Sequence, residues 1–220
     1  MARIAAVAWD IDGTLVDSEP LHLVALAEVC DRYGYDVRVL PDDHFRGVHL
    51  PDVWTALRPS LPGSADRDRW MDEIMQAYIG RAGELVLQPG VREVVALLAE
   101  RGIRQVCVSN SSRPIVDANI EALGIAQHLD FSISLDDVTE GKPDPEPYRR
   151  ACERLGLDPA QVAAVEDSRT GAISARAAGL FVIGFDTAGE ILPDVDWMLA
   201  RLDELPPRLA AATAHSGAGL

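Results

Sequence analysis

Positive charge is what this chain has least of. Lys and Arg together number 20 against 35 Asp and Glu, a formal net charge of −15 over 220 residues. Nucleic acid is bound through basic patches that neutralise phosphates, and an anionic membrane surface attracts the same patches, so no nucleic-acid and no membrane partner is expected. Cysteine is scarce too. Cys30, Cys107 and Cys152 are far apart, odd in number and form no CxxC pair, so neither a zinc site nor a disulfide framework is expected. Free thiols in a reducing cytoplasmic setting are expected instead. No apolar run approaches the length of a membrane span, and the apolar stretch before Asp10 is too short for a signal-peptide core. The rest is ordinary: 48% apolar and 25% charged residues describe a globular chain, large enough for one domain or for a core with a smaller insertion. A monomer is expected. An acidic chain can still bind an anionic substrate where a metal ion, a lysine or converging backbone N–H groups reverse the field locally.

The pattern along the chain alternates strands and helices. Ile4 to Trp9 reads as a buried strand ending in Asp-Ile-Asp-Gly-Thr. Ser18-Glu19-Pro20 opens a helical pattern that runs to Tyr33 and stops at Gly34, and to about Glu84 the chain stays helical and polar. After Pro89-Gly90, helices are predicted over Val91–Glu100, Pro114–Leu123, Pro145–Leu155 and Gly171–Ala178. Strands are predicted over Gln105–Val108, Phe131–Leu135, Val162–Val165 and Phe181–Gly184. Such alternation predicts an α/β fold with a parallel sheet. Residues 1–16 and 87–205 are assigned to this core, residues 17–86 to an inserted helical cap, and the Ala-, Gly- and Pro-rich residues 206–220 to a flexible tail.

Ligands of open parallel sheets bind beyond the carboxyl ends of the strands. Three predicted strand ends carry polar clusters: Asp10-Ile11-Asp12, Ser109-Asn110-Ser111 and Glu166-Asp167. Asp10 and Asp12 are two apart, so in extended chain their side chains point the same way. Paired carboxylates repel unless a cation compensates them, and with a divalent ion one can act as nucleophile or ligand and the other as proton donor or acceptor. A lone Asp-Gly after a strand is a common turn; the second aspartate and the apolar strand ahead favour chemistry. Glu166 and Asp167 emerge from a buried strand and suit magnesium as hard oxygen donors, although Asp167 could equally cap the helix that follows. The Ser109–Ser111 hydroxyls and N–H groups at a helix start suit an anion, and Lys142, between Gly141 and Pro143, can pair with a phosphate oxygen or an ionised carboxylate.

Together these segments resemble the motifs of the haloacid dehalogenase superfamily, in its phosphatase branch. Asp10-Ile11-Asp12-Gly13-Thr14-Leu15-Val16-Asp17-Ser18 resembles the first motif, Ser109-Asn110 the second, Gly141-Lys142-Pro143-Asp144-Pro145 the third and Glu166-Asp167-Ser168 the fourth, in order from Ile4 to about Phe185. The resemblance implies a Rossmann-like core with a helical cap inserted after the first motif, as in the β-phosphoglucomutase-like subfamily. It implies Asp10 as nucleophile forming an aspartyl-phosphate, and Asp12 as the group that protonates the leaving alcohol and then activates water. It also implies magnesium held by Asp10, Asp167 and the Asp12 backbone carbonyl with Glu166 assisting, and phosphoryl binding by Thr14, Ser109, Asn110 and Lys142. The substrate implied is a small phosphorylated metabolite, with a sugar phosphate favoured.

Three rival readings stand beside this one. Dehalogenases of the superfamily lack the second aspartate, since halide needs no proton, so Asp12 favours phosphate. A β-phosphoglucomutase-type mutase carries an arginine after a Lys-Gly-Val-Ser stretch. Here Arg46-Gly47-Val48-His49-Leu50 places Leu50 there, which speaks against a mutase. A non-catalytic binding protein on the same fold is disfavoured because every chemical position is filled. Substrate choice is assigned to the cap, with His22, Arg46 and His49 as candidates alongside His44 and Trp54.

Overall fold

A computed structural model of the chain describes residues 3–41, 44–45, 47–185, 192 and 194–216. In chain order its strands and α-helices are β1 (Ala6–Trp9), β2 (Val16–Asp17), α1 (Glu19–Arg32), α2 (Leu50–Leu57), α3 (Arg67–Ile79), β3 (Val86–Leu87), α4 (Val91–Glu100), β4 (Arg104–Val108), α5 (Arg113–Leu123), β5 (Phe131–Ile133), α6 (Glu146–Leu155), β6 (Val162–Glu166), α7 (Arg169–Ala177), β7 (Phe181–Phe185), β8 (Trp197–Leu199) and α8 (Leu205–Ser216).

Six strands form one sheet in the order β5-β4-β1-β6-β7-β8, with every neighbouring pair parallel. The central strands are short apolar runs because helices cover both faces of such a sheet. All four residues of β1 and all five of β6 are buried. Small residues in β1 and β6 (Ala6, Ala8, Ala164) leave room for α6 and α7, whose Tyr148, Ala151, Ala172 and Ala175 pack into the same core. This is a Rossmann-like α/β fold.

The chain falls into two compact units, residues 1–17 with 86–220, and residues 18–85. In the first, the two-residue strands β2 and β3 pair antiparallel, and Gln88 secures the same corner by donating its backbone N–H to the Leu15 carbonyl at 2.9 Å. The second is a small helical unit in which α1 packs on α3. Its core gathers Leu21, Ala25, Leu26 and Val29 of α1 with Trp70, Ile74 and Tyr78 of α3. Arg81 forks two N–H donors onto Glu28 Oε2 at 3.0 and 3.1 Å.

Two elements depart from the sequence reading. The segment 206–220, read as a flexible tail, is helical to Ser216; residues 217–220 lie outside the described part. Leu205 and Leu209 are four apart and both buried, and Arg101 Nη1 donates to the Pro206 carbonyl at 2.9 Å, so amphipathic spacing outweighs a loop-like composition. The edge strand β8 was not anticipated. It pairs with β7 over three residues, too few to show a period.

Candidate active site

The site begins with strand order. β1 lies between β4 and β6 in a register that sets Trp9 beside Cys107 on one side and Val165 on the other. Asp10, Ser109 and Glu166 are therefore the next polar residues at one edge, and the Asp10 N–H donates to the Val165 carbonyl at 3.0 Å. Lys142 enters from the loop before α6. Its Nζ donates to Asp10 Oδ1 at 2.6 Å, Glu166 Oε1 at 2.6 Å and the Val108 carbonyl at 2.8 Å. These three bonds use all three ammonium protons. All three ionisable groups are withdrawn from water: Lys142 is 6% exposed, Asp10 7% and Glu166 0%.

The loop that delivers Lys142 is anchored at several points. Asn110 accepts from the Lys142 N–H at 2.8 Å and donates Nδ2 to the Lys142 carbonyl at 2.9 Å. Glu146 accepts the N–H groups of Thr139 and Glu140, each at 3.0 Å, and Ser174 Oγ donates to the Asp144 carbonyl at 2.5 Å.

Asp10, Glu166 and Asp167 each offer an oxygen, and these oxygens lie within 4.8 Å of one another. Burial pushes the Asp10 carboxyl up to about 7 against the pull of Lys142, with Glu166 and Asp12 pushing the same way as burial. Burial and then the Asp10 charge push Asp167 up to about 7. Glu166 is raised by burial and pulled back by Lys142. Burial works against the Lys142 charge, but Asp10 and Glu166 outweigh it and hold the ammonium protonated. Asp10 and Glu166 thus share one lysine with Asp167 beside them, and three hard oxygen donors at these spacings fit a small divalent cation such as magnesium.

Two glycines make this crowding possible. Gly13 adopts φ +90°, where side chains are strained, and a Cβ there would lie 2.0 Å from Asp167 Oδ2. A Cβ on Gly171 would lie 1.9 Å from Glu166 Oε2. Tyr148 OH donates to Glu166 Oε1, and Ser168 Oγ donates to Oε2 at 3.3 Å. Ser168, rather than Asp167, caps α7, accepting from the Gly171 N–H at 3.0 Å. Asp167 is left to face Asp10.

The two aspartates of the first motif take separate partners, because Asp10 lies beyond the last residue of β1 and the chain turns at Gly13. The carboxylate of Asp12 is not in the three-acid cluster. Its Oδ2 accepts from Ser109 Oγ at 3.2 Å and Ser111 Oγ at 2.9 Å, and its Oδ1 from Asn119 Nδ2 at 3.1 Å. The expected phosphate binders all have protein partners, Ser109 and Lys142 those already given. Thr14 Oγ1 donates to Asp167 Oδ1 at 3.0 Å, and both ends of the Asn110 amide are spent on Lys142.

In the helical unit, His22 stacks on Tyr78 with ring centroids 4.4 Å apart, exposed His49 is the N-cap of α2, His44 packs edge-on to Phe45, and Trp54 is buried beside Trp70. Arg46 lies outside the described residues. Sequence reading missed Tyr148, Asn119 and Gly171. It also passed over a signal for Lys142, the only lysine in the chain: the other 19 basic residues are arginines.

A parallel sheet whose switch-point edge presents a carboxylate paired with a lysine, beside two further acids fit for a cation, defines a hydrolase of the phosphoryl-transfer type. The haloacid dehalogenase-like hydrolase family matches residues 4–179, and the chain belongs to that family, in its phosphatase branch. It is 31% identical to validoxylamine A 7'-phosphate phosphatase of Streptomyces hygroscopicus subsp. limoneus, over 90% of this chain and 93% of that one. It is 33% identical to hexitol phosphatase B of Escherichia coli K12, over 80% and 81% respectively. The solved structure of CbbY from Rhodobacter sphaeroides in complex with phosphate superposes with a TM-score of 0.81 at 28% identity, covering 92% of this chain and 96% of that one.

Proposed function

We propose that this chain is a magnesium-dependent phosphatase that removes phosphate from a small phosphorylated metabolite, a sugar phosphate or a close relative, through an aspartyl-phosphate on Asp10. The observation that carries the proposal is the Asp10 carboxylate, held by Lys142 at the sheet edge with Glu166 and Asp167 beside it. Its pairing with an ammonium favours the ionised, nucleophilic form.

In this reading Asp10 attacks phosphorus, and Asp12 gives a proton to the departing alcohol and later takes one from water. Lys142, the Ser109 hydroxyl and nearby N–H groups hold the transferring oxygens. Asp10 and Asp167, with the Asp12 backbone carbonyl, would hold magnesium, while Glu166 chiefly fixes Lys142. When bound, the ion supplies charge neutralisation around the phosphoryl group, which a chain of −15 otherwise lacks. The named relatives that act on phosphorylated carbohydrate-like compounds support the substrate class, and Leu50, in place of an arginine, speaks for hydrolysis over mutase chemistry.

A panel of phosphorylated metabolites assayed with magnesium tests the proposal. Turnover of sugar or polyol phosphates, stopped by EDTA, restored by magnesium and abolished in Asp10→Asn, is the expected result. The same turnover by Asp10→Asn would remove the mechanism, and activity confined to nucleic-acid or protein phosphates would remove the substrate class.

A further inference from the structure

Three buried residues of α5 fall at helical spacing, Val116, Asn119 and Leu123, and the middle one is polar. An apolar side chain would be expected at that place in the stripe. Asn119 is 0% exposed, and its Nδ2 reaches across 107 positions of sequence to donate to Asp12 Oδ1 at 3.1 Å. A buried amide left without partners is costly, so its place here goes with the hydrogen bond it makes. On the other oxygen of Asp12 the partners differ in kind, being the hydroxyls of Ser109 and Ser111.

The difference matters because an amide NH₂ can only donate, whereas a hydroxyl can donate or accept. Oδ1 is therefore an acceptor at every stage. Oδ2 can accept from the two serines when Asp12 is ionised, and it can carry the proton when the hydroxyls turn. We infer that Asn119 is a positioning residue for phosphoryl transfer, orienting the Asp12 carboxylate so that the proton is exchanged at Oδ2. The inference rests on the phosphatase reading above and adds to it the group that aims the acid. In the first half-reaction the bond from phosphorus to the leaving oxygen breaks as the Asp10 oxygen–phosphorus bond forms. The released electron pair goes to the leaving oxygen, which takes the Oδ2 proton. In the second, water attacks phosphorus, its proton goes to Oδ2, and Asp10 departs as a carboxylate.

Leaving groups of different basicity test this. An alcohol must be protonated as it leaves, whereas the acetate of acetyl phosphate needs no proton. A well-placed general acid contributes about 10²–10⁴-fold, so Asn119→Leu should lower kcat/KM for a hexitol or hexose monophosphate by roughly tenfold to a hundredfold. For acetyl phosphate, kcat/KM should fall by less than about threefold, because no proton need be aimed. Circular dichroism verifies the fold, and Asn119→Ser, which withdraws the amide with less bulk, carries the same expectation if the leucine variant does not fold. Equal losses on the two substrates, or none on either, overturn the positioning role. Wild-type turnover of the same esters, measured alongside, reports separately on the phosphatase reading.

Discussion

At Gly171 two local rules give opposite signs. Replacing a glycine inside a helix by alanine ordinarily gains about 1 kcal/mol. Here the new Cβ would lie 1.9 Å from Glu166 Oε2, and Glu166 cannot swing aside because Lys142 and Tyr148 hold its other oxygen. Overpacking of that kind costs about 1–3 kcal/mol, so Gly171→Ala should destabilise the protein in urea unfolding and lower turnover. Residue-scale chemistry was legible where a side chain has few uses. Asp10 and Asp167 stood out because charges at the ends of buried strands must be compensated. For Thr14 and Asn110 the side-chain partners could not be read ahead, because a hydroxyl or an amide serves phosphate, carboxylate or backbone equally well, and the folded loop sets Thr14 on Asp167 and Asn110 on the Lys142 backbone.

The loop from Thr139 to Glu146 is the element on which the site turns, since it brings the chain's one lysine to the end of β1. Its attachment to Asn110 is a pair of hydrogen bonds to a single residue's backbone. Asn110→Ala should cost about 1–3 kcal/mol of stability through the two unpaired backbone groups, and it should lower kcat with secondary structure unchanged, because Nζ loses its fixed approach to Asp10. Urea unfolding, circular dichroism and steady-state kinetics check this together. Longer elements were legible from period alone: the predicted helix Val91–Glu100 is α4, and the other core helices and strands fall within a few residues of their predicted bounds. The elements β2, β3 and β8 were not, because two or three residues carry no period; they exist through their neighbours. The sequence signal for α8 was masked by its prolines and alanines, although Leu205 and Leu209 were there to be read.

Across the whole molecule, stability should depend on pH through the buried acids. Asp10 and Asp167 are pushed from 3.8 to about 7 on folding, so between those values the folded protein binds more protons than the unfolded one. Metal-free stability should therefore fall as pH rises from about 4 to 7, and a cation that replaces those protons should stabilise more at pH 8 than at pH 5. Thermal unfolding with and without magnesium at the two pH values measures the difference; an equal rise in Tm at both would contradict it. The α/β class was legible from alternating elements, while the strand order that joins four motifs was supplied by general rules for parallel sheets rather than by any residue. That order has a consequence during synthesis. Ala6 pairs with Arg104 and Val162, 98 and 156 positions further along the chain. A ribosome thus releases the nucleophile's strand first and its second partner only when three-quarters of the polypeptide has been made. Until then an apolar segment waits unpaired, and a chaperone that shields nascent chains has there its most exposed client.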